Sequence, residues 1–93
     1  MNENTKRKLK DMRKHLSDKL IKGLVAKTKQ YSVGDDEVVG LRVFVFPGEQ
    51  KTFYYTYSDN ISKKRHKEKL GNFPSINCVQ ARNRARVIAV KVM

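Results

Sequence analysis

Ninety-three residues with 21 Lys/Arg against nine Asp/Glu carry a net charge of +12, and make one small domain or a piece of a longer protein. The lone cysteine, Cys78, excludes an internal disulfide and points to a reducing, cytoplasmic compartment. No stretch approaches the ~20 apolar residues of a membrane span, and the basic N-terminus has no apolar run behind it to read as a secretory signal.

A hydrophobic fraction of 39% and eight Phe/Tyr residues fit a globular domain with a modest core. The charge is unevenly placed. Residues 1–30 hold ten Lys/Arg against three acids, residues 31–60 two against five, and residues 61–93 nine against one. Two basic regions therefore flank an acidic middle. A contact with a polyanion is local, and nucleic acid is the partner such a balance favours over an anionic membrane.

In chain order, residues 1–15 are polar and basic, with only Met1, Leu9 and Met12 apolar, and read as a flexible or partly helical arm. Residues 16–93 form the folded domain. Ser17 is placed to cap a first helix, its hydroxyl accepting from a first-turn amide. Leu16 and Ile21 stand at the spacing of a hydrophobic staple. Leu16, Leu20, Ile21, Leu24 and Val25 give the apolar stripe of a helix that frays by Lys27–Thr28. Tyr31-Ser32-Val33 is a short extended piece, and Gly34-Asp35-Asp36-Glu37 reads as a solvated acidic turn.

Val39 to Phe46 and Thr52 to Tyr57 are β-branched and aromatic, and predict two strands joined by a hairpin loop at Pro47-Gly48-Glu49-Gln50. Ser58-Asp59-Asn60 turns the chain into a third strand over residues 64–70. Period-two parity assigns the faces. Leu41, Val43, Val45, Phe53, Tyr55, Tyr57, His66, Glu68 and Leu70 fall on the core side, where Glu68 marks either a sheet edge or an error of register. Arg42, Phe44, Phe46, Tyr54, Thr56, Ser58, Arg65, Lys67 and Lys69 fall on the other. Pro74 closes the extended segment, Ser75 is placed to cap a second helix, and Cys78, Ala81, Ala85, Ile88, Ala89 and Val92 recur at helical spacing. The helical pattern still runs at Met93, so the natural protein is expected to continue. The fold class is α+β: a three-stranded antiparallel sheet packed against a C-terminal helix, preceded by a short N-terminal helix.

A sheet with one covered face and one basic, hydroxyl-bearing face fits the width of the B-DNA major groove. Arg42, Tyr54, Thr56, Arg65, Lys67 and Lys69 are the candidate sheet contacts. Lys63 and Lys64 are the candidate phosphate holders at the turn. Phe44, Phe46 and Tyr54 offer either stacking surfaces for single-stranded bases or a hydrophobic minicore. Arg82 and Arg86, one helical turn apart, are better placed to brace the helix or the domain junction. Catalysis has little support: His15 and His66 lie in basic contexts, the carboxylates are not at metal-ligand spacing, and Tyr54, Tyr55 and Tyr57 are better strand aromatics than nucleophiles. Neither a catalytic residue, a metal site nor a cofactor is assigned.

In order and spacing, several pieces resemble one family. They are Leu16-Ser17-Asp18-Lys19-Leu20-Ile21-Lys22-Gly23-Leu24, Tyr31-Ser32-Val33-Gly34-Asp35, Gly40-Leu41-Arg42-Val43, Lys51-Thr52-Phe53-Tyr54-Tyr55, and Leu70-Gly71-Asn72-Phe73-Pro74-Ser75 with Ala81-Arg82. The chain resembles the N-terminal arm-type DNA-binding domain of phage and genomic-island integrases of the tyrosine recombinase family. The resemblance implies a non-catalytic module whose sheet enters the major groove of double-stranded arm-type sites, in a bacterial, nucleoid-associated protein. Strand exchange would belong to core-binding and catalytic domains absent from this chain. Implied partners are duplex DNA and other integrase subunits, with no membrane and no small-molecule substrate. From the residues alone, an RNA-binding or ribosome-associated module and a subunit-interaction domain remain alternatives.

Overall fold

The structure, a computed structural model, describes residues 13–59 and 61–92. The expected α+β class holds, but the sheet has five strands rather than three and is mixed. In chain order the elements are β1 (Arg13–Lys14), α1 (Asp18–Lys22), β2 (Tyr31–Asp35), β3 (Leu41–Val45), β4 (Lys51–Ser58), β5 (Arg65–Phe73) and α2 (Cys78–Val92). Strand order follows the sequence. The pairs β2–β3, β3–β4 and β4–β5 are antiparallel, as hairpin-joined strands must be, whereas β1 lies parallel to β2.

The three expected strands are β3, β4 and β5. The two extra ones extend the sheet on the β3 side. Tyr31-Ser32-Val33, expected as a short extended piece, runs on through Gly34 and Asp35 to become β2. Arg13 and Lys14 pair with Gly34 and Asp35. The expected arm of residues 1–15 therefore ends in the sheet, and its first twelve residues lie outside those described.

Parity holds in β3 and along β4 from Phe53, but Thr52, of the outward parity, is buried, and His66, expected on the core side, is exposed with the rest of residues 65–69 because β5 is the edge strand. Leu41, Val43, Val45 and Phe53 are buried, as are Tyr55 and Leu70, while Arg42, Phe44, Tyr54 and Thr56 are half-buried on the opposite face. Burying a side chain the size of Phe53 contributes roughly 1.5–3 kcal/mol, so this face anchors the domain. Glu68 lies opposite Tyr55 on the edge strand β5, where water reaches it. Burial, and then the Glu68 charge, push the neighbouring Tyr57 phenol above its ordinary value. The register slips between Phe53 and Tyr54: Phe53 pairs with Gly71 and Tyr54 with Lys69, leaving Leu70 as the extra residue of a bulge.

Both helices are shorter than their patterns predict. Ser17 caps α1 as expected, its Oγ accepting from the Leu20 amide at 3.1 Å. The helix stops at Gly23, however, and Val25, expected on its apolar stripe, is 70% exposed. The Lys51 ammonium from β4 donates to the Ile21 carbonyl at 2.7 Å, a second bond on a helix-end carbonyl that also accepts from the Leu24 amide at 3.1 Å.

In α2 the cap is Asn77, not Ser75. Asn77 Oδ1 accepts from the Gln80 amide and Gln80 Oε1 accepts from the Asn77 amide, both at 2.9 Å, a reciprocal capping box. Asp18 Oδ1 takes the Cys78 amide at 2.9 Å, so a residue of the first helix closes the start of the second. Ala81 and Ala85 are fully buried, and their small side chains let α2 lie close across β3, β4 and β5. No helix among the described residues is long and apolar enough to cross a membrane.

Candidate nucleic-acid interface

The outward face of the sheet is built by register. Arg42, Tyr54 and Lys69 stand in one row across β3, β4 and β5. Thr56 pairs with Lys67, and Ser58 with Arg65, in the rows towards the β4–β5 turn. All six expected sheet contacts therefore share one side, opposite the core and α2. Arg65, Lys67 and Lys69 are exposed, and Arg42, Tyr54 and Thr56 are half-buried.

The middle of this face is ordered by its own side chains. Arg42 Nε donates to Ser32 Oγ at 2.9 Å, with a longer contact of 3.5 Å from Nη2 to the Ser32 carbonyl. Thr56 Oγ1 donates to the Gly40 carbonyl at 3.0 Å. The rings of Phe44 and Tyr54 meet edge to face, with centroids 5.1 Å apart, and Phe46 stacks on Phe44 at 6.5 Å. The Lys67 ammonium sits over both rings, 4.7 Å from the Phe44 centroid and 4.6 Å from that of Tyr54. These aromatics form the minicore weighed above, and it carries a cation on top.

The β4–β5 turn is closed by Asp59. Its carboxylate accepts from the Ile61 amide at 2.8 Å, which holds the acid below its ordinary range. Its backbone bonds Lys63 and Lys64. Lys63 adopts a left-handed φ of 62°, and both lysines are exposed at the end of the face.

The structure adds two residues to the face. Arg13 pairs with Gly34, the residue that also faces Arg42, and lines the same shallow concavity as Arg42, Phe44, Thr56 and Lys67. A two-residue strand has no alternation to betray it in the sequence. Ser32, next to Arg42 across the β2–β3 pair, was legible only once β2 was known.

The acidic turn is corrected. Asp35 is buried, not solvated. Its two oxygens accept from Arg82 Nε at 3.0 Å, Arg82 Nη2 at 2.9 Å, the Val38 amide at 2.9 Å and the Leu16 amide at 3.1 Å. Burial pushes this carboxyl up, but the Arg82 and amide hydrogen bonds and the Arg82 charge outweigh it and hold the group below its ordinary value. Arg82 Nη2 also donates to the Leu16 carbonyl at 2.6 Å, and Arg86 bonds Glu37 at 2.7 Å. Both arginines brace the helix, as expected. His15 Nδ1 lies 2.9 Å from Asp36 Oδ1, and their ligand atoms come within 4.8 Å of those of Asp35. The Arg82 guanidinium already occupies the position on Asp35 that a cation would take, so this trio does not fit a metal site. Burial and the nearby Asp18 raise the Cys78 thiol to about 12, which suits a core residue rather than a nucleophile.

A cationic sheet face with a small ordered aromatic centre, backed by a helix that pins the sheet from behind, defines a nucleic-acid-binding module. A family model described as the arm DNA-binding domain matches residues 5–92, and the chain belongs to that family. DNA is the partner this membership gives. A search of curated proteins finds no match.

Proposed function

We propose that this chain is the non-catalytic, double-stranded DNA-binding module of a site-specific integrase, and that it holds arm-type sites by laying the outward sheet face in the major groove. The observation that carries the reading is the division of the sheet. One side is sealed by core and helix, and the other gathers Arg42, Tyr54, Thr56, Arg65, Lys67 and Lys69. The three contact strands, β3 to β5, about 4.8 Å apart, span about 10 Å between their outer axes, within a major groove about 12 Å wide, with β1 and β2 left outside it. Lys63 and Lys64 extend from the same end of the hairpin towards the phosphates. Binding places the protein on DNA and makes or breaks no bond. Strand exchange belongs to other domains of the integrase, and neighbouring subunits meet through DNA held at separate sites.

Fluorescence anisotropy with a labelled duplex, run across a salt series, tests this. If about six phosphates are neutralised, log affinity falls with log salt at a slope of about −5. A matched RNA duplex competes poorly. Binding that ignores salt, or a preference for RNA at equal salt, rejects the reading. So does unchanged affinity after Arg65, Lys67 and Lys69 are all replaced by alanine, which points to a subunit-contact role.

A further inference from the structure

We propose that the cations of the outward face divide into two kinds, with Arg42 and Lys67 reading base edges and Arg65, Lys69, Lys63 and Lys64 holding phosphates. The inference rests on the DNA-binding reading above and assigns the determinants of sequence specificity within it.

The division follows from how each charge is held. A phosphate contact is tolerant, since a flexible ammonium finds an oxygen from many positions. Base discrimination needs a donor fixed in place, because neighbouring acceptor and donor groups on base edges lie only a few ångströms apart. Lysine and arginine have much rotamer freedom to lose on being fixed, so a base reader benefits from being fixed before DNA arrives.

Arg42 and Lys67 meet that condition. Lys67 is drawn over two rings at 4.6 and 4.7 Å, well inside the ~6 Å reach of a cation–π contact. Arg42 spends the Nε side of its guanidinium on Ser32, through both hydroxyl and carbonyl. That contact leaves the Nη1–Nη2 end, the fork that matches O6 and N7 of guanine. Both side chains line one concavity in the middle of the face, which Arg65 shares, so what separates them from Arg65 is how each is held. By contrast, among the described residues no side-chain partner fixes Arg65, Lys69, Lys63 or Lys64. Ser32, Phe44 and Tyr54 are then positioning residues.

The test begins by selecting duplexes from a randomised 20-base-pair library with the wild-type protein. Affinity is then measured for the best selected duplex and for a shuffled duplex of the same composition, each over a salt series. Lys67→Ala, Phe44→Leu and Ser32→Ala are each expected to lower the selected-to-shuffled affinity ratio by ~10-fold. Their salt slopes change by less than the ~0.9 expected for one phosphate. Arg65→Ala and Lys69→Ala show the converse: a slope shallower by ~0.9 each and an unchanged ratio. Circular dichroism melts confirm that each variant is folded, and Lys67→Arg, which keeps a cation over the rings, retains part of the ratio.

If Lys67→Ala and Ser32→Ala shift the slope and leave the ratio alone, the division is wrong and the DNA reading stands. The same holds if the wild type enriches no sequence from the library. If the wild type shows no salt-dependent binding to any duplex, the DNA reading itself falls and the inference goes with it.

Discussion

The ion pair of Asp35 and Arg82 gives the sharpest test of how this small domain is held together. Replacing Asp35 with alanine leaves the Arg82 guanidinium without its partner in a site where its side chain is 10% exposed. It also strands the Leu16 and Val38 amides, which the carboxylate now accepts. Removing one member of a buried pair costs about 3–5 kcal/mol, against a total stability of roughly 5–15 kcal/mol for an ordinary domain. At ~4–8 °C per kcal/mol for a chain of this size, Asp35→Ala should lower the melting temperature by at least about 12 °C. Thermal and urea melts followed by circular dichroism measure this directly. A loss under about 1 kcal/mol would show that water or Glu37, 3.7 Å from Arg82 Nε, takes over the charge, and would refute the reasoning. The double change Asp35→Ala with Arg82→Met should recover part of the loss, because it removes the orphaned charge as well.

The same pair sets a pH dependence whose sign is fixed. Asp35 is depressed in the folded state, so the unfolded chain takes up its proton at a higher pH than the folded one. The stabilisation is fully present above the ordinary carboxylate range of about 4 and is lost as pH falls through the lowered value. Wild-type stability should therefore decline on acidification below about pH 4, and Asp35→Asn should show a flatter decline. An identical acid slope in the two proteins would assign the effect to other carboxylates.

Three further outcomes are expected. Asn77→Ala removes the side-chain half of the capping box, the Oδ1 bond to the Gln80 amide, and should cost about 1 kcal/mol in a urea melt, with Asn77→Ser restoring most of it. Gly71→Ala should destabilise by about 1–3 kcal/mol, because a Cβ at φ 151° would lie 2.9 Å from Ile76 Cδ1. Adding Ile76→Val, which deletes that atom but keeps the Cγ1 position 3.2 Å from the new Cβ, should recover part of the loss. Cys78, buried and with its thiol raised to about 12, should react with a thiol reagent at pH 8 more than ~100-fold more slowly in the native protein than in urea. Labelling at the unfolded rate would place it on the surface.

What could be read in the sequence was whatever repeats with a short period. The alternation of Leu41–Phe46 and Phe53–Ser58 is strong because one face is sealed and the other meets water, and carried into β5 it puts the six expected sheet contacts on the side opposite the core. What could not be read depends on partners far along the chain. Asp35 looks like one acid in a solvated turn until Arg82, 47 residues away, is brought beside it. Helix α2 was expected to start at a Ser75 cap after Pro74, and it starts two residues later at Asn77, where the Asp18 contact with the Cys78 amide, across 60 residues, leaves no local signal in the sequence. Strand β1 is too short for any alternation, and its pairing is visible only through Gly34 and Asp35. The Leu70 bulge likewise leaves no pattern of its own.

The net charge of +12 overstates what DNA meets. Arg82 is bound to Asp35, Arg84 donates to the Leu70 carbonyl at 2.7 Å, and Arg86 is bound to Glu37. Lys51 closes the end of α1. The three arginines lie on α2, behind the sheet, and the candidate contacts lie in front of it. One straight duplex cannot touch both sides. Two of the helix arginines instead tie α2 to the back of the sheet, Arg82 at β2 and Arg84 at β5. A salt slope counted from every described cation would be far steeper than the value of about −4 that the four phosphate holders give, or the value of about −5 if Arg42 and Lys67 meet phosphates as well. The measured slope therefore separates a built face from a merely basic protein. A value of about −4 to −5 means the back of the sheet stays off the DNA, and a slope approaching the full cation count would mean that the helix side binds too.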